Sequence, residues 1–151
     1  MSLPTGLKVS SRRTCRERLA VASVLLDASF LIDLEREIEA GAAGPAMGWL
    51  RRNRGARPRA LLISCVSVAE YLEGCEDPVQ GMGFIGRYIP QSIGFKHATK
   101  CAEIQRRAAR RGGRHGENDA WQLAFAERAN ASIVGRDQRA FEHLGSRYER
   151  Y

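Results

Sequence analysis

The chain lacks any apolar run near the roughly 20 residues that a membrane-spanning helix needs, so no membrane span is expected. Its opening residues lack the apolar core of a secretory signal. Cysteine is scarce: the 4 are Cys15, Cys65, Cys75 and Cys101, and no two form a C-x-x-C pair. The 3 histidines, His97, His115 and His143, stand at no zinc-finger spacing from them. A zinc module is therefore excluded, and the thiols read as reduced and structural, which suits the cytoplasm. Repeats and low-complexity tracts are also missing, and nothing marks a second domain. Acids are short against bases, 17 against 24, for a net charge of +7. That balance favours an anionic partner, with nucleic acid first. A surface merely solubilised by arginine is the open alternative.

What is present fits one domain over residues 24–151, preceded by an extension over residues 1–23. Pro4, Gly6 and the Ser10-Ser11-Arg12-Arg13 run offer that extension little reason to order, although Thr14 to Ala22 could form a short helix. Val24-Leu25-Leu26 has no polar face and suits a parallel strand covered on both sides. It runs into Asp27. Phe30 to Ala40 follows with helical spacing, and Met47, Trp49 and Leu50 suggest another helical piece before the basic stretch Arg51 to Arg59. Ala60 to Val68 reads as a second strand leading to Glu70, and Asp77-Pro78 opens a further helix. Helices are expected over Phe95 to Arg111 and over Ala120 to Asn130, the latter capped by Asn118 or Asp119. Ser132 to Gly135 is a third strand, followed by Arg136-Asp137 and a last helical turn around Phe141 and Leu144. Such alternation of strand and helix implies an α/β fold with a central parallel sheet and helices on both faces.

Asp27, Glu70 and Asp137 each follow an apolar run, and Asp119 stands at a helix start. In a parallel α/β sheet the strand ends, and the starts of the helices that follow them, share one edge. The four carboxylates can therefore meet although they are far apart in sequence. Together they would repel each other and raise each other's pKa values, a penalty that a divalent cation removes. Oxygen ligands without Cys or His favour Mg²⁺ or Mn²⁺ over zinc. A metal so held activates water and stabilises charge on a phosphodiester, which points to a nuclease. Arg106, Arg107, Arg110, Arg111 and Arg114 are the candidates for phosphate contact, against the alternative of a solvated, dipole-compensating helix end. Glu117, Glu73 and His115 are weaker candidates, and Asp33 and Glu35 read as surface positions. His97 and His143 carry no signal. Trp49 and Trp121 suit a core or a dimer interface better than a base-stacking platform.

Four stretches carry a family resemblance. Leu25-Leu26-Asp27-Ala28-Ser29-Phe30-Leu31-Ile32 resembles the opening of PIN-domain proteins, and Ser67-Val68-Ala69-Glu70-Tyr71-Leu72-Glu73-Gly74 is similar to their second motif. Asn118-Asp119-Ala120 resembles the third, and Ile133-Val134-Gly135-Arg136-Asp137 with Phe141 the fourth. The resemblance spans about Val24 to Leu144, in order, and is greatest to VapC-type toxins of bacterial type II toxin–antitoxin pairs. It implies a three-layer α/β/α sandwich and an Mg²⁺- or Mn²⁺-dependent endoribonuclease. Asp27, Glu70 and Asp119 would be metal-binding acids, with Asp137 completing the site. It further implies an RNA substrate, a small antitoxin that inserts near the site, and a homodimer. Where the family commonly carries Thr or Ser, two positions before the last acid, Gly135 stands here without a side-chain donor.

Three rivals remain at this level. A non-catalytic PIN-like nucleic-acid-binding or regulatory module would bind RNA without metal-stimulated cleavage. A phosphatase of the haloacid dehalogenase type would place a second Asp two residues after the first, where Ser29 stands. A plain interaction domain would use the acids as caps, and they would not converge.

Overall fold

The computed structural model describes residues 23–55 and 57–151. The expected extension and its short helix lie outside them, except that Ser23 opens the first strand. The sheet comprises β1 (Ser23–Leu26), β2 (Ala60–Ser64), β3 (Ile89–Gln91), β4 (Ala131–Gly135) and β5 (Tyr148–Arg150). All pairings are parallel, in the order β3-β2-β1-β4-β5. The helices are α1 (Ala28–Glu39), α2 (Pro45–Asn53), α3 (Cys65–Glu73), α4 (Pro78–Ile85), α5 (Phe95–Ala109), α6 (Glu117–Ala129) and α7 (Gln138–Phe141). A 3₁₀ helix, Glu142–Arg147, joins α7 to β5.

The central strand β1 explains the layering. Successive side chains of a strand point to opposite faces. Val24 and Leu26 pack with Phe30, Leu34, Trp49 and Tyr71 on one side. Leu25 packs with Ile104, Leu123, Phe125 and Phe141 on the other. Each such buried Leu or Phe contributes roughly 1.5–3 kcal/mol, so two facing cores hold three layers together. This is the α/β/α arrangement that the alternation of elements and the family resemblance imply.

Several elements differ from the sequence expectation. The apolar run from Ala60 is not one strand to Val68. Ser64 ends β2 by capping α3, its Oγ accepting a hydrogen bond from the Ser67 N–H at 3.0 Å. Cys65 and Glu70 thus lie in a helix, since a continuous apolar run fits a buried helix as well as a strand. Helix α6 begins at Glu117 behind Gly116, so Asn118 and Asp119 sit in its first turn and neither caps it. Asn130 closes it in the left-handed region, φ 49°, which asparagine tolerates better than most residues. Strands β3 and β5 were not expected. Each has three residues, and Pro90 is tolerated in β3 because that strand is an edge.

Candidate metal and nuclease site

The strand order reverses between β1 and β4: the chain runs outward from β1 to β2 and β3, then returns to β4 on the other side. Ligands of open α/β sheets bind at such a switch point, outside the carboxyl ends of the strands. Asp27 and Asp137 stand there. Asp27 directly follows β1, and its backbone N–H extends the ladder to the Val134 carbonyl at 3.0 Å. Asp137 follows β4 and caps α7 by accepting from the Ala140 N–H at 3.1 Å. Glu70 arrives from α3 and Asp119 from the first turn of α6.

Short hydrogen bonds stitch these elements together. The Ser29 hydroxyl donates to Asp27 Oδ2 at 2.6 Å, and the Ser29 N–H donates to the same oxygen at 3.3 Å. The Arg136 N–H donates to Ser29 Oγ at 3.1 Å, tying the start of α1 to the turn that carries Asp137. Asn118 Nδ2 donates to Glu70 Oε1 at 2.6 Å, tying α6 to α3. Beneath them Ser64, Ser67 and Gln122 form a buried polar group. Ser64 Oγ donates to Gln122 Oε1 at 2.9 Å, the Gln122 amide donates to Ser67 Oγ, and Ser67 Oγ donates to the Leu26 carbonyl at 2.9 Å. Each of these side-chain donors finds an acceptor, so the group locks β1, β2, α3 and α6 in register below the acids.

The charges of the acids act on one another. Burial raises the Asp27 carboxyl above its ordinary pKa, against the bonds from Ser29, and the charge of Asp137 adds to the rise. Glu70 is raised by burial, then by Asp27, Asp119 and Glu73, against the bond from Asn118. Asp119 is raised by burial, then by Asp137 and Asp27. Among the described residues, none of the four acids forms an ion pair with Lys or Arg. In a chain of net charge +7 that is informative: the four carboxylates are left without a Lys or Arg partner among the described residues. Their oxygen chemistry and combined charge fit a hard divalent cation. They do not form a ready-made cage: among the described residues, no three His, Cys, Asp or Glu side chains stand as a group that could hold a metal ion. A cation would have to draw them together.

Gly135 turns out to be a steric matter. A Cβ at this position would stand 3.0 Å from Asp27 Cβ and 3.1 Å from Asp27 Oδ2. The missing side chain leaves Asp27 its place. The cap reading holds for Asp27 and Asp137, whereas Glu70 and Asp119 cap nothing.

The arginines divide. Arg107 donates to Glu127 at 2.6 Å. Arg107, Arg111 and Arg114 line one cavity, while Arg106 and Arg110 are exposed outside it. Glu117 is exposed, 3.9 Å from Arg114. Asp33, expected at the surface, instead accepts from Arg136 at 2.9 Å and from the Tyr151 hydroxyl at 2.6 Å. Sequence reasoning passed over Asn118 as the partner of Glu70, and Gln122 altogether. The only signal for Gln122 was a polar residue among Leu123, Ala124, Phe125 and Ala126 on a buried helix. Cys65, Cys75 and Cys101 are free thiols, and among the described residues no helix is long and apolar enough to cross a membrane.

No protein-family model matches the chain, and no curated protein matches it. Solved structures do. DNA-bound VapBC from Salmonella typhimurium contains a chain 21% identical to this one, with a TM-score of 0.66, covering 85% of this chain and 98% of its own. VapBC2 from Rickettsia felis, bound to a DNA fragment from its promoter, matches at 18% identity and a TM-score of 0.66, with coverage of 85% and 98%. Mycobacterium tuberculosis VapC20, a sarcin-ricin-loop-cleaving toxin, matches at 16% identity and a TM-score of 0.57, with coverage of 82% and 95%. The chain therefore has the VapC-type PIN-domain fold.

Proposed function

We propose that this chain is a metal-dependent endoribonuclease, the toxin of a type II toxin–antitoxin pair, that hydrolyses RNA phosphodiester bonds. The observation that carries this reading is that Asp27, Glu70, Asp119 and Asp137 are carried to one edge of a PIN-type sheet, at its switch point, with none of them in an ion pair with Lys or Arg among the described residues. These residues would hold Mg²⁺ or Mn²⁺, which when bound supplies water activation and charge stabilisation at the phosphate. Ser29 orients Asp27, and Asn118 orients Glu70. The exposed Arg111 and Arg114 attract the RNA backbone toward the acids. A small antitoxin would cover the site, as suits a fold found in VapBC complexes. A second copy of the chain would cover the exposed apolar side chains Val79, Met82 and Phe95, and the free thiols suit the cytoplasm.

Cleavage of a defined RNA panel with Mg²⁺, with Mn²⁺ and with EDTA tests this. Asp27→Asn should lower metal-stimulated turnover by more than the about 10–100-fold that loss of an outer-shell partner brings, with the circular dichroism spectrum unchanged. Unchanged turnover in that variant, purified free of contaminating nuclease, rejects the mechanism. The second reading, a non-catalytic RNA-binding module, draws on the lack of a ready-made cation group among the described residues. It predicts binding that weakens steeply with salt and no cleavage under any metal.

A further inference from the structure

A cavity of about 440 Å³ is lined by residues of α5, α6 and the 3₁₀ helix, with His115 and His143 in its wall. Their rings are 4.8 Å apart, with planes inclined by 33°. Both histidines come from segments that also carry an acid of the candidate site. His115 lies in the loop just before α6, four residues ahead of Asp119, and its charge acts on the Asp119 carboxyl. His143 lies in the 3₁₀ helix that follows α7, the helix capped by Asp137. On α6 itself, Asp119, Leu123 and Glu127 are spaced i, i+4 and i+8 and so share a face, and the last two line the cavity. The cavity thus shares α6 and the segment after β4 with the candidate site.

Its chemistry is specific. Ile104 and Leu123 supply a buried apolar floor. Burial, with the charges of His115, Arg111 and Arg107, pushes His143 below the ordinary histidine pKa. Arg107 is held by Glu127. Arg111 forms no ion pair among the described residues, and Arg114 reaches Glu117 only at 3.9 Å with a side chain 76% exposed. Two available cations therefore flank a pair of flat aromatic rings above an apolar floor. An acidic peptide would use the cations and leave the rings unused. A nucleotide uses both, its base stacking on imidazole and its phosphates meeting arginine.

We propose that this cavity seats one unstacked nucleotide of an RNA strand beside the carboxylate cleft, with His143 and His115 as its stacking surface and Arg111 and Arg114 as its phosphate contacts. The proposal deepens the ribonuclease reading and rests on it for the strand's path across the acids.

The test is fluorescence anisotropy in EDTA with the full chain carrying Asp27→Asn. The probes are a labelled ten-nucleotide oligouridylate and an abasic oligomer of the same length. The oligouridylate should bind more tightly than the abasic oligomer. Adding His143→Ala should weaken oligouridylate binding by roughly 5- to 100-fold and leave the abasic oligomer almost unaffected. His143→Phe should restore most of the affinity, because it keeps an aromatic face. Arg111→Ala should weaken both probes and reduce the salt slope by about 1. Equal affinity for the two probes, no effect of His143→Ala, or failure of His143→Phe to rescue would overturn the site. A polyglutamate peptide weakened by His143→Ala as much as the oligouridylate would overturn the nucleotide as occupant. Binding is read without turnover, so a wild-type chain that never cleaves RNA sinks the ribonuclease reading alone. Intact cleavage without the His143 pattern sinks this site alone.

Discussion

At Asp27 one carboxylate serves two purposes that pull in opposite directions. It caps α1, and it sits desolvated within reach of the charge of Asp137. Ser29 and Gly135 make this tolerable: one donates to the carboxylate, the other yields the space it occupies. Gly135→Ser should therefore be adverse, although it adds a hydroxyl beside the acids. Its Cβ would crowd Asp27 at 3.0 Å, and the strain should cost about 1–3 kcal/mol. Mn²⁺ affinity measured by calorimetry should fall by roughly 10–100-fold, as for other disturbances of a ligand's support. A rise in affinity would mean that the added hydroxyl finds room. The four acids were legible in the sequence because each follows an apolar run or opens a helix. The role of Gly135 was not, because a close approach between β4 and the end of β1 leaves no mark in either segment.

Among the elements, α3 and α6 decide whether Glu70 and Asp119 meet. Their alignment is set by the Ser64–Ser67–Gln122 group and its anchor on the Leu26 carbonyl. Ser67→Ala removes one donor and one acceptor and strands the Gln122 amide in the core. It should lower stability by about 1–3 kcal/mol in urea denaturation. Ser67→Ala combined with Gln122→Leu should recover part of that loss, since an apolar pair avoids the unsatisfied amide. Additive losses in the double variant would contradict the coupling. The sequence marked α1, α4 and α6 through apolar spacing and turn residues. It read Ala60 to Val68 as one strand and so passed over the start of α3, because the boundary depends on one capping hydroxyl inside a run that suits strand and helix equally.

For the molecule as a whole, the weak point is the edge. Strand β5 has three residues, yet Glu149 ties it to three other parts of the chain. Its carboxylate accepts from Arg59, from Trp49 Nε1 at 3.1 Å and from Ser132 Oγ at 2.8 Å. Burial alone would raise the Glu149 pKa, but these three donors outweigh it and hold it below the ordinary 4.5. The contribution to stability is thus present above about pH 4.5 and is lost as pH falls through the lowered value. Glu149→Gln should destabilise the protein by about 1–3 kcal/mol at pH 7, and the gap to wild type should narrow as pH falls below 4.5 in denaturant titrations. A gap independent of pH would assign the effect to packing.

The sequence by itself determined the fold class and the order of the main elements, and it singled out the four acids as candidates. Those follow from local physics: apolar runs that must be buried, caps, and the shared edge of parallel strands. Tertiary structure decided what depends on contacts between distant segments. It set the reversal of strand order that puts Asp27 beside Asp137, the bond from Asn118 to Glu70, and the pairing of His115 with His143 across 28 residues of chain, numbered from 115 to 143. It also decided that β3 and β5 exist, since strands this short are stabilised by their neighbours in the sheet and carry no periodic signal of their own.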